Sequence, residues 1–116
     1  MPRKEDVIRL RHMLEAAKDV LGYVWRKTRE DFLKDAQCQD AAIRRIEIIG
    51  EAASRLSPEC LTAFPQIPWK NIINMRNRLI HAYYDINMNT VWSTAAEDLP
   101  PLIISLEKIL KQGDDK

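Results

Sequence analysis

The stretch "EDVIRLRHMLEAAKDVLGYVWRK", Glu5–Lys27, decides the fold class. Val7, Leu10, Leu14, Ala17, Leu21 and Val24 recur at alternating spacings of three and four. That is the period of one apolar face of an α-helix. The spacing predicts a helix from about Glu5 to Lys27 with a stripe suited to a bundle. His12 falls off the stripe and reads as a solvated surface histidine. Directly after it, Thr28 stands three residues before Asp31 in a capping-box-like arrangement, which predicts a short helix ending near Asp35.

The same period returns downstream. Ala42, Ile46, Ile49, Ala53 and Leu56 predict a second long helix from about Gln39 to Leu56, with Ile43 and Ile48 widening the stripe. Gly50 sits inside it at a cost of roughly 1 kcal/mol against alanine. A close approach by another helix or chain explains such a residue. Glu47 and Glu51 lie one turn apart on this helix. "SPECLTAFPQIPW", Ser57–Trp69, is punctuated by Pro58, Pro65 and Pro68 and reads as a loop, with Pro68 as the first residue of the next helix. That helix is expected from Pro68 to about Tyr83. A last helix is expected from about Asn89 to Lys111, kinked or restarted at Pro100-Pro101. The tail from about residue 112 to 116 is expected to fray. The prediction is one all-α domain spanning residues 1–116, four main helices in an up-down bundle with an additional short helix.

Composition agrees. The 116 residues are 46% apolar and 30% charged, with only 3 glycines, which is core-forming material with few hairpin signals. The 18 basic and 17 acidic residues give a net charge of +1, so any polyanion must be held by a local patch. No segment approaches the roughly 20 apolar residues of a membrane helix. The N-terminal stretch carries no uninterrupted apolar core of the signal-peptide type. Cys38 and Cys60, the two cysteines, then read as reduced thiols of a cytoplasmic protein, and their spacing is not that of a zinc site. No metal and no cofactor is expected.

"MRNRLIHAYYD", Met75–Asp85, carries the chemistry. On a helical wheel Ile72, Met75, Leu79 and Ala82 form an apolar arc, while Asn74, Asn77, Arg78 and His81 form a polar stripe. Arg76 is the exception, because it falls within the apolar arc. A buried guanidinium needs a partner, and Glu47 or Glu51 of the preceding long helix could supply it. A structural ion pair that sets helix register would account for the same pattern. His81 lies five positions on, roughly 140° around the helix, so the two side chains do not share one face of a regular helix. Arg holds phosphate and developing charge, His moves protons, and tyrosine rings can stack on a base. Between Trp69 and Tyr84 stand Lys70, Arg76 and Arg78 with no acid.

Arg76-Asn77-Arg78-Leu79-Ile80-His81-Ala82-Tyr83 fits the R-x-x-x-x-H-x-Y motif of the HEPN superfamily. More closely, the chain resembles HepT-like toxins of the HepT–MntA toxin–antitoxin systems. "RHMLEAA", "IEIIGEAA", "IPWKNIINMRNRLIHAYYD" and the later "VW" and "DLP" occur in that family's order. The resemblance implies an all-α homodimer with the two motifs facing each other across a cleft. It implies a metal-independent endoribonuclease toxin of a type VII system acting on RNA such as transfer or messenger RNA. Arg76 and His81 become the catalytic pair and Asn77 a supporting polar residue; Arg78 is a possible support, as are Glu47 and Glu51, the candidates from the helix wheel to orient Arg76. It also implies a partner, an MntA-like minimal nucleotidyltransferase antitoxin that moves AMP from ATP onto Tyr83. Tyr84 does not match the modified position. On the wheel Tyr83 points towards the apolar arc, so modification requires it to be exposed at the helix end. Two other readings compete: a HEPN module that binds a nucleotidyltransferase or nucleotide without cleaving RNA, and a bundle whose arginine is only structural.

Overall fold

The structure is a computed structural model that describes residues 2–114, with side chains through residue 111. The predicted helix folds as α1, Lys4–Val24; of its stripe Leu10, Ala17 and Val24 are buried while Val7, Leu14 and Leu21 are half-buried against the core, and the buried face is completed by Met13, Ala16 and Val20. The helix stops three residues before the expected Lys27, because Arg26 takes a left-handed backbone with φ 60°. Thr28 caps α2, Arg29–Leu33: its Oγ accepts from the Asp31 N–H at 3.1 Å, and the Asp31 carboxylate accepts from the Thr28 N–H at 3.0 Å. Phe32 of α2 is fully buried and packs against Trp92 with ring centroids 5.6 Å apart.

The second long helix is α3, Ala36–Ser54, started by Asp35, whose carboxylate accepts from the Cys38 N–H at 3.0 Å. It runs antiparallel to α1. The Cys38 thiol at its start donates to the Tyr23 carbonyl near the end of α1, and Ser57 just past its end binds Asp6 near the start of α1. Asp6 is 1% exposed, and its carboxylate accepts from the Ser57 N–H at 2.9 Å and the Ser57 hydroxyl at 2.6 Å. Burial pushes the Asp6 carboxyl up, but the Ser57 and Arg3 hydrogen bonds outweigh it and hold the group below its ordinary value.

The segment expected as a loop after α3 contains a short helix, α4, Pro58–Ala63. Ser57 caps it by accepting from the Cys60 N–H at 3.2 Å, Pro58 takes the first helical position and Glu59 sits in the first turn. Those are start signals of a helix, and they override the punctuation by proline. α5 spans Trp69–His81, one residue later than expected at its start and two earlier at its end. A short 3-10 turn, Tyr83–Asp85, follows.

The last helix is interrupted upstream of its prolines. α6, Met88–Ser93, opens into a π-helical turn over Thr94–Asp98 before α7, Leu99–Asp114. Pro100 and Pro101 have no N–H to return to the preceding turn, and their rings crowd its carbonyls. The wider turn relieves this, with the Leu99 N–H reaching back five residues to the Thr94 carbonyl. α7 passes the expected end at Lys111 and continues to Asp114; of the tail expected to fray, Asp115 and Lys116 lie outside the described residues. No β-strand occurs among the described residues, and α1, α3, α5 and the α6–α7 pair form the predicted all-α bundle. Leu10, Val20, Ala42, Ile49, Leu79 and Leu106 are among the residues that close its core. Cys38 and Cys60 are buried and form no disulfide, and burial pushes the Cys60 thiol up to about 11. No helix among the described residues is long and apolar enough to cross a membrane.

Candidate active site

The candidate site is built where α5 crosses α3. Gly50 makes the crossing possible. A Cβ placed there would meet the Arg76 Cβ at 2.1 Å, its Cγ at 2.8 Å and the Ile72 carbonyl at 3.1 Å. The absent side chain therefore holds the stem of Arg76. From this seat the guanidinium reaches Glu51, one residue on, which accepts from Nη2. Nη1 donates to the Asn77 Oδ1 at 2.8 Å. The Nε–H is buried and has no hydrogen-bond partner among the described residues.

Glu51 is therefore the partner, and Glu47 is not. Glu47 pairs instead with Arg44 at 3.4 Å. Glu51 also receives Arg55 at 2.9 Å, so two guanidinium groups share one carboxylate. The hydrogen bond and charge of Arg76, followed by Arg55, hold the Glu51 carboxyl below its ordinary value. The Arg76 side chain is 26% exposed, so the pair stands at the edge of the core rather than within it.

The motif leaves the helix at its histidine. His81 is the last residue of α5 and is exposed. Ala82 takes φ −129° and ψ 38° and ends the helix, with its N–H bonded to the Arg78 carbonyl. The wheel therefore no longer applies to Tyr83. The ring that a continued helix would turn towards the apolar arc is 73% exposed, edge-on to Tyr84 with ring centroids 5.8 Å apart. Arg78 is not brought to Arg76. It lines a different groove, between α5 and the π-helical turn, with Met75, Glu97 and Asp98.

His12 is exposed, as expected, yet it lines a groove of about 600 Å³ with Glu51, Arg55, Glu47 and Ile80. Its position off the stripe gave no sign of this, because the neighbours come from α3 and α5. Arg55 was equally hidden in the sequence, as one charge near a helix end. No three of His, Cys, Asp and Glu meet as a metal cage among the described residues.

A family described as "Ribonuclease HepT-like" matches residues 13–109, which contain Arg76, Asn77, His81 and Tyr83. A protein of Methanocaldococcus jannaschii named as a candidate RNase is 36% identical over 118 residues, covering 100% of this chain and 98% of its own. "Probable ribonuclease HepT" of Thermococcus cleftensis is 43% identical over 82 residues, 71% of this chain and 74% of its own. A further candidate RNase, from Caldanaerobacter subterraneus, is 35% identical over 103 residues, 89% of this chain and 92% of its own. No solved structure matches. Taken with the all-helical bundle and the motif at the end of α5, this likeness across nearly the whole chain means that it belongs to the HepT-like ribonuclease family.

Proposed function

We propose that this protein is a metal-independent endoribonuclease and the toxin of a type VII toxin–antitoxin pair. The observation that carries the reading is the anchored guanidinium of Arg76 on the helix whose last residue is the exposed His81. A ribose 2′-hydroxyl attacks the adjacent phosphorus, the bond to the 5′-oxygen breaks, and a 2′,3′-cyclic phosphate and a free 5′-hydroxyl result. His81 takes the proton of the attacking hydroxyl or returns one to the leaving oxygen. Arg76 faces the negative charge that builds on the phosphorane-like centre. Asn77 and Glu51 hold the guanidinium in place, so it needs little reorganisation when charge develops. RNA, either transfer or messenger, is the substrate.

The active form is a homodimer with its two motifs across a cleft. The groove beside Glu51 supports this reading. Ile8 at 47% and Ile80 at 39% exposure line it, and its rim carries Arg9 and Arg44 as well as Glu5 and Glu47. Charges of both signs around an apolar patch suit a self-complementary contact. The antitoxin is a minimal nucleotidyltransferase that moves AMP from ATP to the Tyr83 hydroxyl, releasing pyrophosphate. The exposure of Tyr83 supports that role.

The test is cleavage of total cellular RNA in EDTA by unmodified protein, beside folded His81→Ala and Arg76→Ala variants. Cleavage that survives chelation, leaves cyclic phosphate ends and is lost in both variants is expected. Absence of cleavage by protein free of AMP sinks the reading.

A further inference from the structure

We propose that Trp25 and Arg26 form a stacking platform for an unpaired base of RNA, separate from the Arg76–His81 site. The proposal rests on the ribonuclease reading for its ligand. Its observations lie elsewhere in the fold.

Trp25 is 69% exposed, whereas Trp69 is 8% exposed and Trp92 packs on Phe32. The exposure follows from the end of α1. Arg26 is the one non-glycine residue with positive φ among the described residues, at 60°. That backbone is uncommon for a side chain larger than glycine. It turns the chain off the helix axis immediately after Trp25. The Arg26 guanidinium then lies 5.3 Å from the centre of the indole ring. No carboxylate pairs with Arg26 among the described residues, although Lys27 beside it is taken by Asp35 at 2.9 Å.

This pair is joined to the segment that follows the motif. The end of α1 lies against the first half of α3, through Tyr23 with Cys38 and Arg45. Arg29 then donates to the Asn89 Oδ1 at 2.9 Å, joining the chain just after Trp25 to the chain just after Tyr84. Tyr83 and Tyr84, at 73% and 81% exposure, are thus linked through that contact to the segment after Trp25.

An open indole with an uncommitted guanidinium over it is the chemistry that grips single-stranded nucleic acid. The ring stacks on a base of any identity, and the arginine adds attraction to the phosphates. A protein partner is less well served. Tryptophan and arginine also anchor protein interfaces, but the basic residues Arg26, Lys27 and Arg29 that follow Trp25 favour a polyanion. The ligand class is an unpaired segment of the RNA substrate flanking the scissile bond.

The test uses full-length protein and a labelled single-stranded RNA with every 2′-hydroxyl methylated, so that binding is read without cleavage. Trp25→Ala and Trp25→Leu are expected to weaken binding by roughly ten- to a hundredfold, and Trp25→Phe to retain most of it. Arg26→Ala is expected to weaken it less. On cleavable RNA, Trp25→Ala should raise KM for a long substrate with kcat unchanged, and should leave a dinucleotide substrate unaffected. Equal binding by Trp25→Leu and wild type overturns stacking. So does a Trp25→Ala protein that changes oligomeric state in sedimentation but not RNA affinity. If the wild type cleaves while all Trp25 variants bind alike, the platform fails and the ribonuclease stands. If the wild type neither binds nor cleaves RNA, both fail.

Discussion

Gly50 and Arg76 occupy one space: the Arg76 Cβ stands 2.1 Å from where a Cβ of residue 50 would lie. A glycine that weakens α3 by itself is thus what lets α5 come close enough for Arg76 to reach Glu51. Gly50→Ala is expected to lower stability by about 1–3 kcal/mol despite the better helix former. Gly22, on α1, meets nothing within 4 Å. Gly22→Ala is therefore expected to raise stability by up to about 1 kcal/mol. Urea unfolding of the two variants checks both signs, and a stabilised Gly50→Ala would refute the close approach.

Glu51→Gln removes the charge that seats Arg76, while Glu47 pairs with Arg44. RNA cleavage is expected to fall about tenfold or more in folded Glu51→Gln, in line with the worth of a hydrogen bond to a charged group. Glu47→Gln should cleave as the wild type does. Initial rates at saturating RNA separate the two. Equal losses would mean that the carboxylates act through general charge and not through the seat of Arg76.

The Asp6 carboxyl lies below its ordinary 3.8 in the folded state. Its stabilising contribution is then fully present above the unfolded value and is lost as pH falls through the lower folded one. Asp6→Asn is expected to cost roughly 2 kcal/mol at pH 7, since a nearly fully buried acceptor of two Ser57 hydrogen bonds is altered. The penalty should shrink as the pH is lowered below about 4. Denaturation at stepped pH reads this directly, and a pH-independent difference would contradict it.

AMP transfer is expected at Tyr83 and not at Tyr84, although both hydroxyls are accessible, at 73% and 81% exposure of their residues. Accessibility alone does not choose between them. Their rings stand edge-on at 84°, and only Tyr83 falls at the tyrosine of the R-x-x-x-x-H-x-Y motif. Peptide mapping after incubation with a nucleotidyltransferase partner and ATP decides it, and AMP on Tyr84 alone would overturn the assignment.

Ile80→Asp places a charge in the apolar groove beside Glu51, at a position 39% exposed in one chain. The variant is expected to fold but to sediment as a monomer and lose cleavage. A dimer of normal mass would move the contact to another face.

Much of the bundle is visible in the sequence because helices advertise themselves locally. The stripes of α1 and α3, the Thr28 cap and the ends of α5 within two residues all follow from spacing and capping. α4 was also written there, in Ser57, Pro58 and Glu59, under the louder signal of three prolines. The Arg76 problem was visible too, as a cation in an apolar arc, with its possible partners narrowed to Glu47 or Glu51. The choice of Glu51, the seat at Gly50 and the exposure of Tyr83 were not. The first two depend on how two helices cross, which no periodicity within either helix specifies. The third depends on α5 ending at His81, after which the wheel loses its meaning. The π-helical turn before Pro100, and the meeting of His12 with Glu51 and Arg55 in one groove, belong to the same class. Local spacing determined the helices and which residues could carry chemistry; only the packing of one helix on another decided which of those residues meet, because contacts distant in sequence are set by backbone approach.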